Sequence, residues 1–154
     1  MRINLRKTEL SDMEMIYHWA NDETTRKNSF HTEKIEFDEH HKWFEKNMVD
    51  ANIHMLVLTA DSNPIGQVRL SIESDATIIS YSIANEFRGH GYATEMIPAV
   101  EEYVLNNCHS VNTIIGYVRE SNVASKRVFE KNGYACERIL MPYQCLEYRK
   151  ILKG

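Results

Sequence analysis

Between residues 87 and 94 the chain reads Phe87-Arg88-Gly89-His90-Gly91-Tyr92-Ala93-Thr94. Two glycines, two positions apart, carry no side chain to keep a ligand off the backbone. A helix beginning near Gly91 turns free N–H groups and a partial positive charge toward the same spot. Arg88 adds a planar donor fork suited to phosphate. Together these residues are equipped for an anion, a pyrophosphate above all. Two other phosphate loops do not fit. The third glycine of a dinucleotide fingerprint is replaced by Thr94, and no Gly-Lys-Ser/Thr ending of a P-loop is present. A tight strand-to-helix turn that uses glycine for geometry alone would satisfy the same residues. The segment by itself leaves both readings open.

Other reactive side chains exclude more than they suggest. Cys108, Cys136 and Cys145 are odd in number and lack CxxC spacing, so neither a disulfide framework nor a zinc site is expected. His40 and His41 have no further ligands at suitable spacing, and no metal is expected. A net charge of −4 argues against a nucleic-acid footprint. No apolar run approaches the roughly 20 residues that span a bilayer. Met1–Arg6 runs directly into polar sequence, unlike a signal peptide. The expected compartment is the cytoplasm, without a membrane partner. At 154 residues, 43% hydrophobic and 26% charged, the chain has the balance of one globular domain, residues 1–154.

The elements that must position these residues follow from pattern. Arg2–Arg6 alternates as a short strand. Ser11 and Glu14 have capping-box spacing, with Leu10 and Met15 as a hydrophobic staple, ahead of a helix on Met15, Ile16 and Trp19. Glu23–Glu36 is polar and aperiodic and reads mostly as loop. Asp38–Met48 reads as a helix with Phe37, His41, Phe44 and Met48 on one side. Ile53–Thr59 and Ile65–Ile72 flank turn-like residues 60–64, and Thr77–Ala84 completes an antiparallel meander. A helix from Gly91 to about Asn107 turns Ala93, Met96, Ile97, Val100 and Val104 inward, with a kink expected at Pro98. Thr113–Val118 reads as a buried strand. Ser121 or Asn122 caps a further helix that Gly133 ends. Tyr134–Leu140 and Tyr143–Arg149 close the chain as strands around Pro142. The order is β-α-α-β-β-β-α-β-α-β-β, an α+β (mixed α/β) domain with helices over a largely antiparallel sheet.

Arg88-x-x-Gly91-x-Ala93 resembles the Q/R-x-x-G-x-G/A motif of the GNAT superfamily of acyl-CoA-dependent N-acyltransferases. The likeness extends to Tyr81–Phe87 as that family's fourth strand and its exit, to Val118–Ser125 as the fifth strand's exit, and to Phe129–Tyr134 as the end of its fourth helix. The resemblance implies a twisted sheet of about seven strands with four helices. It implies acetyl-CoA as co-substrate, its arm entering where the fourth and fifth strands part. Ile83 would pair with that arm. Residues Arg88, Gly89, His90, Gly91, Tyr92, Ala93 and Thr94 would hold the pyrophosphate. Asn122, Ser125 and Phe129 would lie at the lower pantetheine or thiol end.

The implied reaction is direct attack of a primary amine on the thioester. A base must take the ammonium proton, and Glu73 and His54 are candidates. A backbone N–H within Ser82–Ala84 would hold the developing oxyanion. Many family members have a tyrosine on the fourth helix that protonates the leaving thiolate. Phe129 stands at that position here, so either another group is the acid, with Ser125, Tyr134 and Tyr92 as candidates, or the thiolate leaves unassisted.

The segment Asn21-Asp22, Arg26, Ser29-Phe30, Glu39-His40 and Trp43-Phe44, with Gly66–Arg69, resembles a narrower group. Its members are N-acetyltransferases acting on 4-amino nucleotide sugars in bacterial pseudaminic-acid-type pathways. That resemblance implies a small-molecule acceptor bound by Arg26, Ser29, Phe30, His40, Trp43 and Arg69, with Lys27 and Lys42 as further cations. The alternatives are a protein N-terminal or lysine acetyltransferase and a non-catalytic acetyl-CoA sensor. A monomer or homodimer is expected.

Overall fold

The computed structural model describes residues 3–140 and 145–152. Strand β1 (Ile3–Lys7) leads through a 3₁₀ turn (Leu10–Asp12) into helices α1 (Met13–Ala20), α2 (Glu23–Asn28) and α3 (Phe37–Met48). The meander is β2 (Ile53–Ala60), β3 (Asn63–Glu73) and β4 (Ala76–Ile83). A second 3₁₀ turn (Asn85–Phe87) precedes α4 (Tyr92–Asn107), and β5 (Thr113–Arg119), α5 (Val123–Lys131), β6 (Ala135–Leu140) and β7 (Cys145–Ile151) follow. The seven strands form one sheet in the order β1-β2-β3-β4-β5-β7-β6. Every neighbouring pair is antiparallel except β4 with β5. Among the described residues no helix is long and apolar enough to cross a membrane. Tyr143 and Pro142, expected at the last turn, and Arg2 lie outside the described residues.

Strand alternation sorts side chains onto two faces. Leu56, Leu58, Val68, Leu70 and Ile79 join Met96, Ile97, Val100 and Val104 of α4 in the main core. The four α4 residues have no solvent-accessible surface, and each contributes about 1.5–3 kcal/mol by burial. On the opposite face, Met55 packs with Ile16 of α1 and Phe44 of α3, beside Trp19 and Trp43. The sheet therefore separates an α4–α5 layer from an α1–α3 layer.

Several local expectations are corrected. Among the described residues there are five α-helices rather than four, because α2 occupies the start of the segment expected as loop. No α2 residue is buried, so no apolar period marked it in the sequence. Its stability is polar: Asp22 caps it by accepting the Thr25 N–H at 3.1 Å. The first helical turn is not capped by Ser11 and Glu14. Asp12 instead accepts the Glu9 N–H at 2.7 Å and grips both Nη atoms of Arg6, at 2.8 and 3.0 Å. Leu10 is 68% exposed and staples nothing. On α3, His40 joins Phe44 as the buried stripe, while Phe37 stays exposed. The β2–β3 turn tightens onto Asp61 and Ser62, both with positive φ, so Pro64 falls inside β3.

Helix α4 is continuous through Pro98. A proline at this position has no N–H to offer Thr94, four residues earlier. The Asn132 side chain, just beyond α5, donates to the Thr94 carbonyl at 3.1 Å and to Val128 O at 2.8 Å. One residue thus satisfies the acceptor that Pro98 leaves open and ties the start of α4 to the end of α5. Asn132→Ala is expected to cost about 1 kcal/mol in urea unfolding. The cost should shrink in a Pro98→Ala background, where residue 98 regains its N–H. Equal costs in both backgrounds would show that the Thr94 bond contributes nothing.

Candidate active site

Strands β4 and β5 pair over four positions only, from Ala76–Thr113 to Ile79–Gly116. Beyond that, Ser80–Ile83 stays paired with β3 and Tyr117–Arg119 with β7, so the two strands diverge. A cavity of about 950 Å³ occupies the divergence and extends to both helical layers. Phe129 sits at the fork. A Cβ on Gly116 would lie 2.3 Å from its Cζ, so only glycine admits the ring there. The ring stacks on Tyr148 at 5.7 Å and meets Tyr134 and Tyr81 edge-on.

At one end of the cavity, Gly89 and Gly91 have φ of +80° and +79°, the left-handed region that favours glycine. The space over both is open, with nothing within 4 Å of where a Cβ would stand. Gly91 caps the 16-residue helix α4, whose first N–H groups and dipole point into this opening. Arg88, Gly89, Gly91, Tyr92, Ala93 and Thr94 line it; the His90 side chain does not and is solvent-exposed. The geometry fits a bound pyrophosphate. Arg88 is already engaged by α2, however: its Nη2 lies 2.7 Å from Asp22 Oδ2 and 3.1 Å from Thr25 Oγ1. Burial pushes the Asp22 carboxyl up, but Arg88 and the Thr25 N–H outweigh it and hold the group below its ordinary value.

Along the fork, the Ala84 N–H donates to Ile65 O at 2.8 Å toward β3. That removes Ala84 from the expected oxyanion donors. Backbone groups alternate in direction along a strand, so Ile83 and Tyr81 turn theirs toward the gap. Side-chain parity divides β4 as well. Ser80 and Ser82 stand beside Arg69 and Gln67 on the α1–α3 side, with contacts of 3.5 and 3.3 Å. Tyr81 faces α5, and its hydroxyl lies 2.7 Å from Ser125 Oγ. Asn122 caps α5 by accepting the Ser125 N–H at 3.2 Å.

The α1–α3 side of the cavity contains all six residues expected at the acceptor: Arg26, Ser29, Phe30, His40, Trp43 and Arg69. Their roles differ. Arg26 spends its fork on chain geometry, donating to the carbonyls of Ala20, His31 and Glu33 and to Ser29 Oγ. Arg119 donates to Ser29 O at 2.7 Å. Arg69 lies over Trp43, 5.2 Å from the ring centroid, and its buried Nε has no partner among the described residues. His40 is buried among Tyr17, Trp43 and Phe44. Burial pushes its imidazole down, so it is neutral near pH 7, and its Nε2 has no partner among the described residues.

Other candidates are not brought here. Tyr134 lies off the cavity, its hydroxyl donating to Glu101 at 2.9 Å. Burial and Glu101 push its phenol far up. Glu73 is exposed at the end of β3, away from the cavity, because strand length carries it past the fork. His54 bonds Tyr103 at 2.7 Å in the main layer instead. Lys27 and Lys42 are exposed and do not line the cavity. Tyr81, Gln67, Ser80, Tyr117 and Arg119 line it and were not foreseen as side chains. Tyr81 was findable: it is two positions before Ile83 on the same face of a strand already assigned to the fork.

A family model described as "Acetyltransferase (GNAT) domain" matches residues 2–135. An uncharacterized N-acetyltransferase of Methanocaldococcus jannaschii is 32% identical over 90 residues, 56% of this chain and 56% of that relative. The match thus spans just over half the length of that curated relative. Among solved structures, the spermidine N-acetyltransferase of Vibrio cholerae, in complex with CoA and spermine, superposes with a TM-score of 0.88. It is 24% identical, covering 97% of this chain and 95% of that one. An aminoglycoside acetyltransferase in complex with ribostamycin and coenzyme A has a TM-score of 0.86 at 18% identity, covering 98% of this chain and 94% of its own. At these identities the two structures establish the shared fold.

Gly116→Ala should lower stability by about 1–3 kcal/mol in thermal or urea unfolding, because the methyl cannot coexist with the Phe129 ring. Adding Phe129→Leu should recover part of that loss. A neutral Gly116→Ala would show that the ring is not wedged at the fork.

Proposed function

The chain belongs to the GNAT acetyltransferase family, and from that premise we propose that residues 1–154 act as one domain that moves the acetyl group of acetyl-CoA to a primary amine on an anionic small molecule. The 4-amino group of a UDP-linked amino-deoxy sugar is the acceptor that best matches the cavity. Gly89, Gly91 and the first turn of α4 would take the CoA pyrophosphate, with the His90 contribution limited to its backbone. The arm would lie along Ile83, and Asn122, Ser125 and Phe129 would line its lower end. Neutral amine attack needs no acyl-enzyme, and Ile83 N–H is the candidate donor to the developing oxyanion. We assign removal of the ammonium proton to His40, the neutral imidazole of the acceptor half, in place of Glu73 and His54.

The observation that carries the acceptor reading is Arg69. Of the four arginines that line the cavity, Arg69 and Arg119 make one described hydrogen bond each, and Arg69 is set apart by the length of its bond, 3.5 Å to Ser80, and by a buried Nε without a partner among the described residues. Glu39 is the one carboxylate among the described lining residues. A polycation such as spermine or ribostamycin would meet a guanidinium without a counter-ion. At 4 Å and an effective dielectric of about 20, each such like-charge contact costs about 4 kcal/mol. A diphosphate gains from the same charge, and Trp43 and Phe30 offer flat apolar surface to a base or sugar.

Thiol release from acetyl-CoA, measured with a UDP-linked 4-amino-4,6-dideoxy sugar, spermidine and N-terminal peptides, tests this. Turnover on the nucleotide sugar is expected. Turnover on spermidine or peptide instead would remove the acceptor assignment and keep the acetyl transfer. Binding of acetyl-CoA with no turnover on any amine would favour a sensor. Arg69→Gln is expected to raise KM for the nucleotide sugar about 10–100-fold, as loss of a charged hydrogen bond does. KM for acetyl-CoA should stay within about threefold; a parallel rise in both would place Arg69 in the fold rather than at the acceptor.

A further inference from the structure

We propose that the Tyr81 hydroxyl, held in place by Ser125, gives the leaving thiol its proton during acetyl transfer. The inference rests on the acetyl-CoA reading above. Phe129 has no proton to give, yet its face of α5 is not without a phenol. Ser125 lies one helical turn before Phe129 and so on the same side of α5. Tyr81 reaches that side from β4, with its ring 6.3 Å from Phe129 and its oxygen 2.7 Å from Ser125 Oγ. Tyr81 and Ser125 both line the cavity, just beyond the last β4–β5 pair. Strand and helix therefore deliver jointly the group that position 129 lacks.

The two other phenols packed on Phe129 are committed elsewhere. The Tyr134 hydroxyl donates to Glu101 at 2.9 Å, and the Tyr148 hydroxyl to Glu130 at 3.0 Å. Tyr81 faces no carboxylate in its hydrogen bonding; its partner is a neutral hydroxyl that serves as donor or acceptor. Burial pushes its phenol up while Ser125 pulls the other way, so the proton is present at neutral pH and the phenolate has a donor waiting.

The step balances. The amine nitrogen bonds to the acetyl carbon, and the carbon–sulfur bond breaks with its electron pair left on sulfur. Sulfur takes the Tyr81 proton, while the Ser125 hydroxyl donates to the phenolate. The proton shed by the new amide nitrogen, passed through solvent, restores the phenol. The products are the N-acetyl amine and the free CoA thiol.

Tyr81→Phe keeps the ring and its packing and removes only the oxygen. It is expected to lower kcat with acetyl-CoA about 100-fold or more, the usual worth of a placed acid. KM for acetyl-CoA should stay within about threefold. With acetyl-seleno-CoA, whose selenolate leaves without protonation, the variant should return to within about threefold of the unaltered protein. Ser125→Ala should show a smaller loss with the same rescue. Equal losses on both thioester and selenoester, or no loss on either, would overturn the assignment to Tyr81 while leaving acetyl transfer intact. Absence of thiol release by the unaltered protein on every amine tested would overturn both readings.

Discussion

Four residue pairs hold β4 beside β5, and then the strands run on without each other. Backbone donors and acceptors cannot be left without partners inside a fold. A sheet that opens in its middle must cover the exposed edges or offer them to something extended. Here the fork is maintained by packing: Phe129 fills the niche over Gly116 and is backed by Tyr148. The edges of Tyr81 and Ile83 remain turned to a cavity that a pantetheine-sized arm would suit. The wedge and the cavity are thus two consequences of one steric arrangement. Position 129 also changes meaning in this light. A ring is required there by the fork, whether or not it carries an oxygen.

Polar contacts do for the α1–α3 half of the cavity what apolar contacts do for the fork. Helix α2 buries no side chain. It is fixed by the Asp22 cap, by Arg88 reaching from the loop before α4, and by Arg119 reaching Ser29 from the end of β5. Arg26 gathers the following loop by its carbonyls. Three of the four cavity arginines are thereby occupied with architecture. Counting cations in the sequence therefore overstates the charge available to a ligand, and Arg69 inherits most of it.

The long, periodic elements were legible because burial dictated their pattern. Met96, Ile97, Val100 and Val104 repeat on one face, and Thr113–Val118 is rich in β-branched residues and mostly buried. The glycine turn before α4 was legible because positive φ leaves glycine as the residue of choice. Helix α2 was not, since its reason to exist lies 63 and 66 residues away in Arg88. Ser11 and Glu14 had the right spacing for a cap, but Glu9 and Asp12, the latter gripped by Arg6, formed the capping box two residues earlier. At the site, spacing found the glycines and the helix start that open onto the cavity. It did not find Tyr81, whose role depends on a partner 44 residues away on another element. It placed Tyr134 and Glu73 among the reactive groups because the Glu101 contact that holds one and the reach of β3 that carries off the other are set by tertiary structure.

Strand β4 presents alternate residues to two different layers, Ser80 and Ser82 to one and Tyr81 and Ile83 to the other. One strand thus works as a party wall between two tenants. Exchanges at 80, 82, 67 or 69 alter what one neighbour sees while the other notices little. On the proposed division of acceptor and acyl donor between those layers, a lineage built on such a wall is free to try new amines without relearning how to hold its acyl donor. Directed evolution confined to those four positions would explore acceptors at almost no risk to the donor.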